Sequence, residues 1–380
     1  QQIQLFLFYS MKIVEMKKLR YIALLLTLLL VVTPEMKAQP SVDAQETEAA
    51  AEKSDDVDVN ELVFGHIGDA YEWHIATLGH TELSIPLPVI VKASDGWHVF
   101  SSARLKEGAS YEGLHIAKGG NYDGKIVETA PDGNEVRPID ISITKNVLGL
   151  MINSLILVVL MLACARWYKK HPLEDGAPKG GVGMIETVVM TIQNDVIKTC
   201  IGPDYRRYSP YLLTAFFFVL VNNLMGLIPI FPGGANITGN IAITMVLALC
   251  TFIMINVFGS KEYWKDIFWP NVPVWLKCPI PMMPVIELFG IFTKPFALMI
   301  RLFANIMAGH AAILSLVAII FITVKSGALI NGPMTVVSVL FGIFMDGLEV
   351  LVAFIQAYVF TMLSAVFIGL SREGGHEEKE

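Results

Sequence analysis

Charge is scarce in this chain. Only 17% of its 380 residues are charged, below the roughly 25% of soluble domains. By contrast 54% are hydrophobic and the mean hydropathy is +0.55. That balance excludes an ordinary soluble domain and points to a polytopic membrane protein. The net charge of −7 is no signature of nucleic-acid binding. Cysteine is nearly absent too: Cys164, Cys200, Cys250 and Cys278 lack metal-ligand spacing, and none lies between residues 39 and 145. Disulfide staples and cysteine chemistry are thereby set aside. A phosphate-cradling glycine-lysine loop is missing, so ATP binding is not expected of this chain. No internal repeat is found, and neither a cofactor nor a metal is expected.

What is present begins with a leader. Lys17, Lys18 and Arg20 precede an apolar run from Tyr21 to Val32, and Ala38 supplies a small residue before Gln39. About twelve apolar residues are too few to span a bilayer, so residues 1–38 read as a cleaved signal peptide. Residues 1–10 precede the first methionine, Met11, and read as lying outside the natural polypeptide. Residues 39–61 form an acidic spacer in which Asp43, Glu46, Glu48, Glu52, Asp55, Asp56 and Asp58 face only Lys53, a composition that favours disorder.

Residues 62–143 are expected to form a small, β-rich external domain. The runs Leu83–Val91 and Trp97–Ser101 suggest strands, and Asp95-Gly96, Gly119-Gly120 and Asp132-Gly133 suggest turns. Five histidines fall here or beside it, His66, His74, His80, His98 and His115, but their spacing fits no standard metal site.

Residues 144–370 read as the membrane domain, with a charged tail over 371–380. Apolar spans run at about 147–167, 211–231 and 240–258, each near the roughly 20 residues that a crossing helix needs. Two further apolar segments, about 284–324 and 334–370, are far longer than a bilayer core of about 30 Å requires. They should lie strongly inclined as a hairpin, or hook at Gly290, Pro295, Gly309, Gly342 or Gly347. The expected fold is therefore all-α, with about five membrane helices behind the external domain.

Loop charge sets the orientation. Arg166, Lys169, Lys170, Lys179, Lys198, Arg206 and Arg207 crowd the connection after the first span, and Lys261, Lys265 and Lys277 follow the third. The loop from Phe231 to Gly239 carries no charge. The positive-inside rule puts the N-terminal domain outside and the C-terminus inside. Between the first two spans, Met184, Ile185, Val188, Val189, Ile192, Val196 and Ile197 recur at helical spacing, which predicts an amphipathic helix on the inner surface or against a partner.

Ionisable groups at membrane depth are the candidate functional residues, because holding them there is costly. Arg301 is the most costly, since a guanidinium cannot shed its charge. Asn305 lies four residues on, with Lys294 and Glu287 seven and fourteen back, so the four share one stripe of a helix. His310 sits about half a turn away from Arg301 and faces a different neighbour. The second long segment carries Asp346, Glu349 and Gln356. An antiparallel hairpin could set Gln356 near Arg301 and Glu349 near His310. A histidine and a carboxylate in a membrane are the pieces of a proton relay.

The run Leu298-Met299-Ile300-Arg301-Leu302-Phe303-Ala304-Asn305-Ile306-Met307-Ala308-Gly309-His310, with Glu287 and Lys294-Pro295 upstream, resembles the most specific motif of subunit a of the F-type ATP synthase. Asn223-Leu224-Met225-Gly226-Leu227-Ile228-Pro229 is similar to that family's second-span signature, and Gln356-Ala357-Tyr358-Val359-Phe360 to its last-helix motif. The three motifs stand in the family's order and cover roughly residues 143–370. The resemblance implies a non-catalytic stator subunit in a bacterial inner membrane. Its partners would be the lipid bilayer, a rotor ring of small subunits with buried carboxylates, peripheral stalk subunits and the rest of the synthase.

The same resemblance implies roles. Arg301 would face the ring carboxylate and keep two aqueous half-channels from short-circuiting. Gln356 and Asn305 would position it, His310 and Glu349 would line the outer half-channel, and Glu287 would lie toward the inner one. Lys294, Asp346 and Asn223 would support them. One departure stands out: many members carry a carboxylate at the position of His310 and a histidine at that of Glu349, so the pair is exchanged here. A secondary transporter or independent channel with a midplane polar site is the alternative reading.

Overall fold

The computed structural model describes residues 68–78, 81–117, 122–129, 135–171, 178–228, 231–269, 282–324 and 327–372. The leader, the acidic spacer, residues 373–380, His66, His80, Lys277, Cys278 and the turn signals at 119–120 and 132–133 lie outside them.

The N-terminal region, expected above to lie outside the membrane, is built from short antiparallel strands. A ribbon pairs β1 (Glu72–Leu78) with β2 (Thr81–Pro86). A three-stranded sheet runs in the order β4 (Gly96–Ser101), β3 (Pro88–Ala93), β8 (Ile139–Asp140). A second runs β5 (Leu114–Ile116), β6 (Ile126–Thr129), β7 (Glu135–Val136). The run Leu83–Val91 is thus two strands, broken around Leu87, whereas Trp97–Ser101 lies within β4. Asp95-Gly96 makes the expected turn, with Ala93 paired to Gly96. Strand alternation buries Val89, Val91 and Ala93 of β3 and leaves Pro88 and Lys92 outward; that inner face packs with Tyr71, Phe100, Leu105, Leu114 and Ile126.

Five helices answer the five predicted spans. They are α1 (Lys145–Lys170), α3 (Tyr205–Leu227), α4 (Ile241–Val257), α6 (Met282–Thr323) and α7 (Ala328–Leu370). A shorter α2 (Gly181–Thr191) precedes α3, and α5 (Lys261–Phe268) turns off α4 at 97°. Four of the apolar helical stretches are long enough to cross a membrane, and the bent α4–α5 pair makes a fifth. Helices α6 and α7 run unbroken for 42 and 43 residues, through Pro295 and Pro333 respectively. Neither hooks at the glycines considered above. At 1.5 Å per residue each is roughly 63 Å long, so strong inclination is what reconciles them with a bilayer.

Packing follows membrane rules, in which close approach replaces the hydrophobic drive. Helix α4 buries Thr244, Ala248, Thr251 and Ile255, a stripe of mostly small residues, and Tyr211 shares a hydrogen bond with Thr251 at 2.8 Å. Helix α7 buries Ala353, Ala357, Thr361, Ser364 and Ala365. Outward faces are apolar instead: Met151, Leu155, Val158, Val159 and Leu162 of α1 are all exposed. The amphipathic segment turns its apolar face onto protein. Ile192, Val196 and Ile197, in a π-helical turn after α2, are buried among Tyr208, Leu212, Phe216, Ala357 and Phe360.

Two junctions fix the domain ends. Near the start of α1, Trp73 of β1 is buried against Ala235 and Ile237, and its ring meets Phe231 edge-on at 5.2 Å. Gly149 permits this approach, since a Cβ there would stand 2.7 Å from that of Ala235. At the far end, Arg372 donates to Asp204 at 2.6 Å and to the Phe258 carbonyl at 3.3 Å, tying the end of α7 to α3 and α4.

Candidate functional site

The polar residues of α6 divide between two faces. Leu298, Leu302 and Ile306 are buried, which turns Arg301 and Asn305 to the exposed surface of the chain. Among the described residues Arg301 has neither a hydrogen-bond nor an ion-pair partner. Glu287 is half-buried on the same helix, with Tyr263 its electrostatic neighbour. Lys294 is also half-buried, its ammonium 5.7 Å from the centroid of the Phe367 ring, a cation–π contact.

The second face looks inward. Phe303, Met307 and His310 follow one another at four- and three-residue spacing, one continuous stripe. Across from it, Glu349 of α7 is buried, and its Oε1 lies 3.4 Å from His310 Nδ1. Both Glu349 oxygens lack a hydrogen-bond donor among the described residues, although burying an uncompensated carboxylate is expensive. Gly309 makes the room: a Cβ there would sit 2.7 Å from Glu349 Oε1. The other ring nitrogen of His310 faces Gly226 at the end of α3. The expected juxtaposition of His310 with Glu349 is present. Gln356 is buried on α7, about two helical turns beyond Glu349, and makes no hydrogen bond to Arg301 among the described residues. Asp346 is exposed.

A web of amides surrounds this pair. Asn223, 2% exposed, accepts from Thr238 Oγ1 at 2.7 Å and donates to the Ala353 carbonyl at 3.5 Å. It therefore fastens α3, the loop before α4, and α7 at one point. Asn236 in the same loop donates to Gly239 no proton but accepts its N–H at 2.9 Å, and turns its amide nitrogen toward Met307 Sδ at 3.6 Å. Deeper toward α1, Asn153 donates to Asn222 at 3.1 Å. Sequence reading passed over Asn236 and Thr238, and it quoted Met307, Gly226 and Gly309 within motifs without giving them a role at the site. The one signal for Asn236 and Thr238 is the polar but uncharged loop 231–239 placed between two apolar spans.

The external histidines form separate contacts. His98 lies between Asp95, at 2.6 Å, and Glu112. Hydrogen bonds to those carboxylates raise the His98 pKa, and the bond from His98 lowers those of Asp95 and Glu112. His115 pairs with Glu135 at 3.4 Å, and His74 sits on β1.

A family model described as ATP synthase A chain matches residues 148–369. The chain belongs to that family. The match takes in Asn223, Glu287, Lys294, Arg301, Asn305, His310, Asp346, Glu349 and Gln356, all of the residues drawn from the sequence. Family relatives include ATP synthase subunit a of Pelodictyon phaeoclathratiforme, 47% identical over 64% of this chain and 69% of its own length. ATP synthase subunit a 2 of Chlorobaculum tepidum is 45% identical over 64% and 68%. ATP synthase subunit a of Myxococcus xanthus is 36% identical over 79% and 92%. Residues 62–145 match a separate model, a domain of unknown function, so the external domain has no role assigned by family membership.

Proposed function

We propose that Arg301 is the electrostatic gate of a rotary proton path and that the His310–Glu349 pair is the buried relay leading to it. The chain is a multi-pass membrane component of the F-type ATP synthase and its stator subunit in proton translocation. One observation carries the residue assignment: Arg301 stands exposed on one face of α6 with no partner among the described residues, while His310 and Glu349 meet inside at 3.4 Å. An unpaired guanidinium at membrane depth needs a counter-charge from outside the chain. A carboxylate on each subunit of a rotor ring supplies one.

In this reading protons reach Glu349 through His310 from the outer side, pass to a ring carboxylate, and leave after rotation on the Glu287 side. Arg301 repels a proton that tries to cross directly, because a protonated carrier beside a fixed positive charge is unfavourable. Asn305 and Gln356 steady the ring-facing surface. Lys294 and Asp346 set local charge, and Asn223 holds the helices in register. The chain itself performs no bond chemistry and holds no cofactor. Its other partners are the peripheral stalk and the bilayer of the cell inner membrane, with residues 62–143 in the periplasm and the tail in the cytoplasm. The alternative of a free-standing transporter gives way to family membership.

The test is ATP-driven acidification of inverted membrane vesicles carrying Arg301→Ala, with passive proton permeability measured alongside. Lost pumping from an assembled complex, with leak retained or raised, supports the gate. Unimpaired pumping reduces Arg301 to a structural residue and ends this reading.

A further inference from the structure

Where the external domain meets the membrane helices there is a pocket of about 240 Å³. Asp69, Asn146, Gly239, Asn240, Phe303 and Met307 are among the residues that line it. Phe303 and Met307 belong to the stripe of α6 that continues to His310, about one turn further along. Trp73, four residues after Asp69, packs against Ala235 and Ile237 and so anchors the segment that carries Asp69 beside the pocket. Asp69 is half-buried and is the carboxylate among the pocket-lining residues.

Charge at this opening is otherwise unfavourable to protons. Lys145, the first residue of α1, is within electrostatic reach of both Asp69 and His310. A fixed positive charge that acts on His310 repels an incoming proton, and a carboxylate within its reach weakens that field. Among the described residues, the charged and titratable groups linked to Asp69 and the path behind it are Lys145 on α1, His310 on α6 and Glu349 on α7. Asp69 also has a structural duty, since its Oδ1 accepts the Asn146 N–H at 3.1 Å and caps α1. Capping alone is served as well by asparagine, and by itself leaves the pocket unexplained.

We infer that this pocket is the external mouth of the outer half-channel and that Asp69, contributed by the external domain, is its proton-collecting carboxylate. The inference rests on the reading of His310 and Glu349 given above. It assigns the external domain a function: it completes the mouth of a path whose interior the membrane helices build.

The experiment uses the intact, reconstituted synthase in vesicles, with ATP synthesis driven by an imposed proton gradient and rates expressed per assembled complex. Asp69→Asn keeps the cap and removes the charge. Its rate should fall on the order of tenfold, with the deficit growing as external pH rises from about 6 to about 9 and free protons become scarce. Asn240→Asp replaces one good helix cap by another, since Asn240 Oδ1 accepts from Ala242 N at 3.0 Å, and puts a carboxylate back on the pocket wall. Combined with Asp69→Asn it should restore the rate and flatten the pH dependence. Glu349→Gln is run beside them. Wild-type rates for Asp69→Asn with an impaired Glu349→Gln would overturn the assignment of Asp69 and leave the relay standing. A deficit that is independent of pH and is not rescued by Asn240→Asp would reduce Asp69 to its cap. Wild-type rates for Glu349→Gln as well would bring down the relay and this inference together.

Discussion

The N-terminal β-rich domain and the membrane domain are turned inside out relative to each other. In the first, Val89, Val91, Phe100, Leu114 and Ile126 fill the core and charged groups such as Asp95, His98 and Glu112 face water. In the second, leucines and valines face outward while Asn153, Asn222, Asn223, Thr251, Ser364, Gln356 and Glu349 are buried. One chain has folded against two solvents. The difference teaches where function can reside. A charge on the water-facing domain is cheap and says little, whereas every buried polar group between the helices must be matched or used. Most are matched, by Asn–Asn, Thr–Asn and Tyr–Thr bonds. The hydroxyls of Tyr208 and Ser209 find no partner among the described residues, and Glu349 leaves both carboxylate oxygens without a donor.

The contrast can be broken hardest at that residue. Glu349→Gln removes the titrating group and should slow proton-driven ATP synthesis at least about tenfold, about 1.4 kcal/mol on the barrier, with normal amounts of assembled complex. His310→Ala should act the same way. Undiminished flux in either variant would take that residue off the path. Gly309→Val is next. Its side chain would have to occupy the space of the Glu349 carboxyl, and steric displacement of this kind typically costs about 1–3 kcal/mol. Flux should drop several-fold and assembly should weaken; a fully active Gly309→Val complex would contradict the packing described.

Asn223→Ala tests the matched class. It leaves Thr238 without its acceptor, a loss of about 1–3 kcal/mol for a buried unsatisfied group. Detergent-solubilised complex should unfold at a lower temperature, while residual assembled enzyme should pump at a near-normal rate. A stable but inactive Asn223→Ala enzyme would move Asn223 from scaffold to path.

The smallest effect belongs to the water-facing side. Because its bonds raise the His98 pKa, stabilisation by its charged form is complete below the unfolded value of about 6.5 and is lost as pH climbs through the folded value. Asp95 and Glu112, with lowered values, contribute above about pH 4 and lose that contribution as pH falls. Amide hydrogen exchange in β3 and β4 should therefore quicken slightly above neutrality, beyond the ordinary pH dependence of exchange. His98→Gln should abolish that excess. Identical profiles for the two proteins would show the cluster to be energetically silent.

Much of this was legible in the sequence, for definite reasons. Runs of apolar residues announce spans because a bilayer demands length and nothing else, and α6 and α7 appeared as overlong segments for the same reason. His310 and Glu349 could be paired because two adjacent antiparallel helices leave few choices of register. The amphipathic segment showed its apolar face, but periodicity does not say what covers a face, and α3 and α7 cover it rather than lipid. Trp73, Asn236 and Met307 stayed hidden because their contacts join parts of the chain far apart in sequence. Arg301 and Gln356 were expected to meet, yet no hydrogen bond joins them, because α6 points Arg301 out of the chain while α7 points Gln356 in.

The length of the terminal hairpin also has a mechanical side. A surface that turns pushes back on whatever it turns against, with equal torque. A helix interrupted at a glycine or proline would yield at that joint, whereas α6 and α7 continue unbroken through 42 and 43 residues. They are braced side by side, and α7 is propped along α3 and pinned at its end by Arg372. The hairpin is thus a pair of beams, and on the function proposed above it is stiffness along those beams that lets Arg301 keep its station against the rotor.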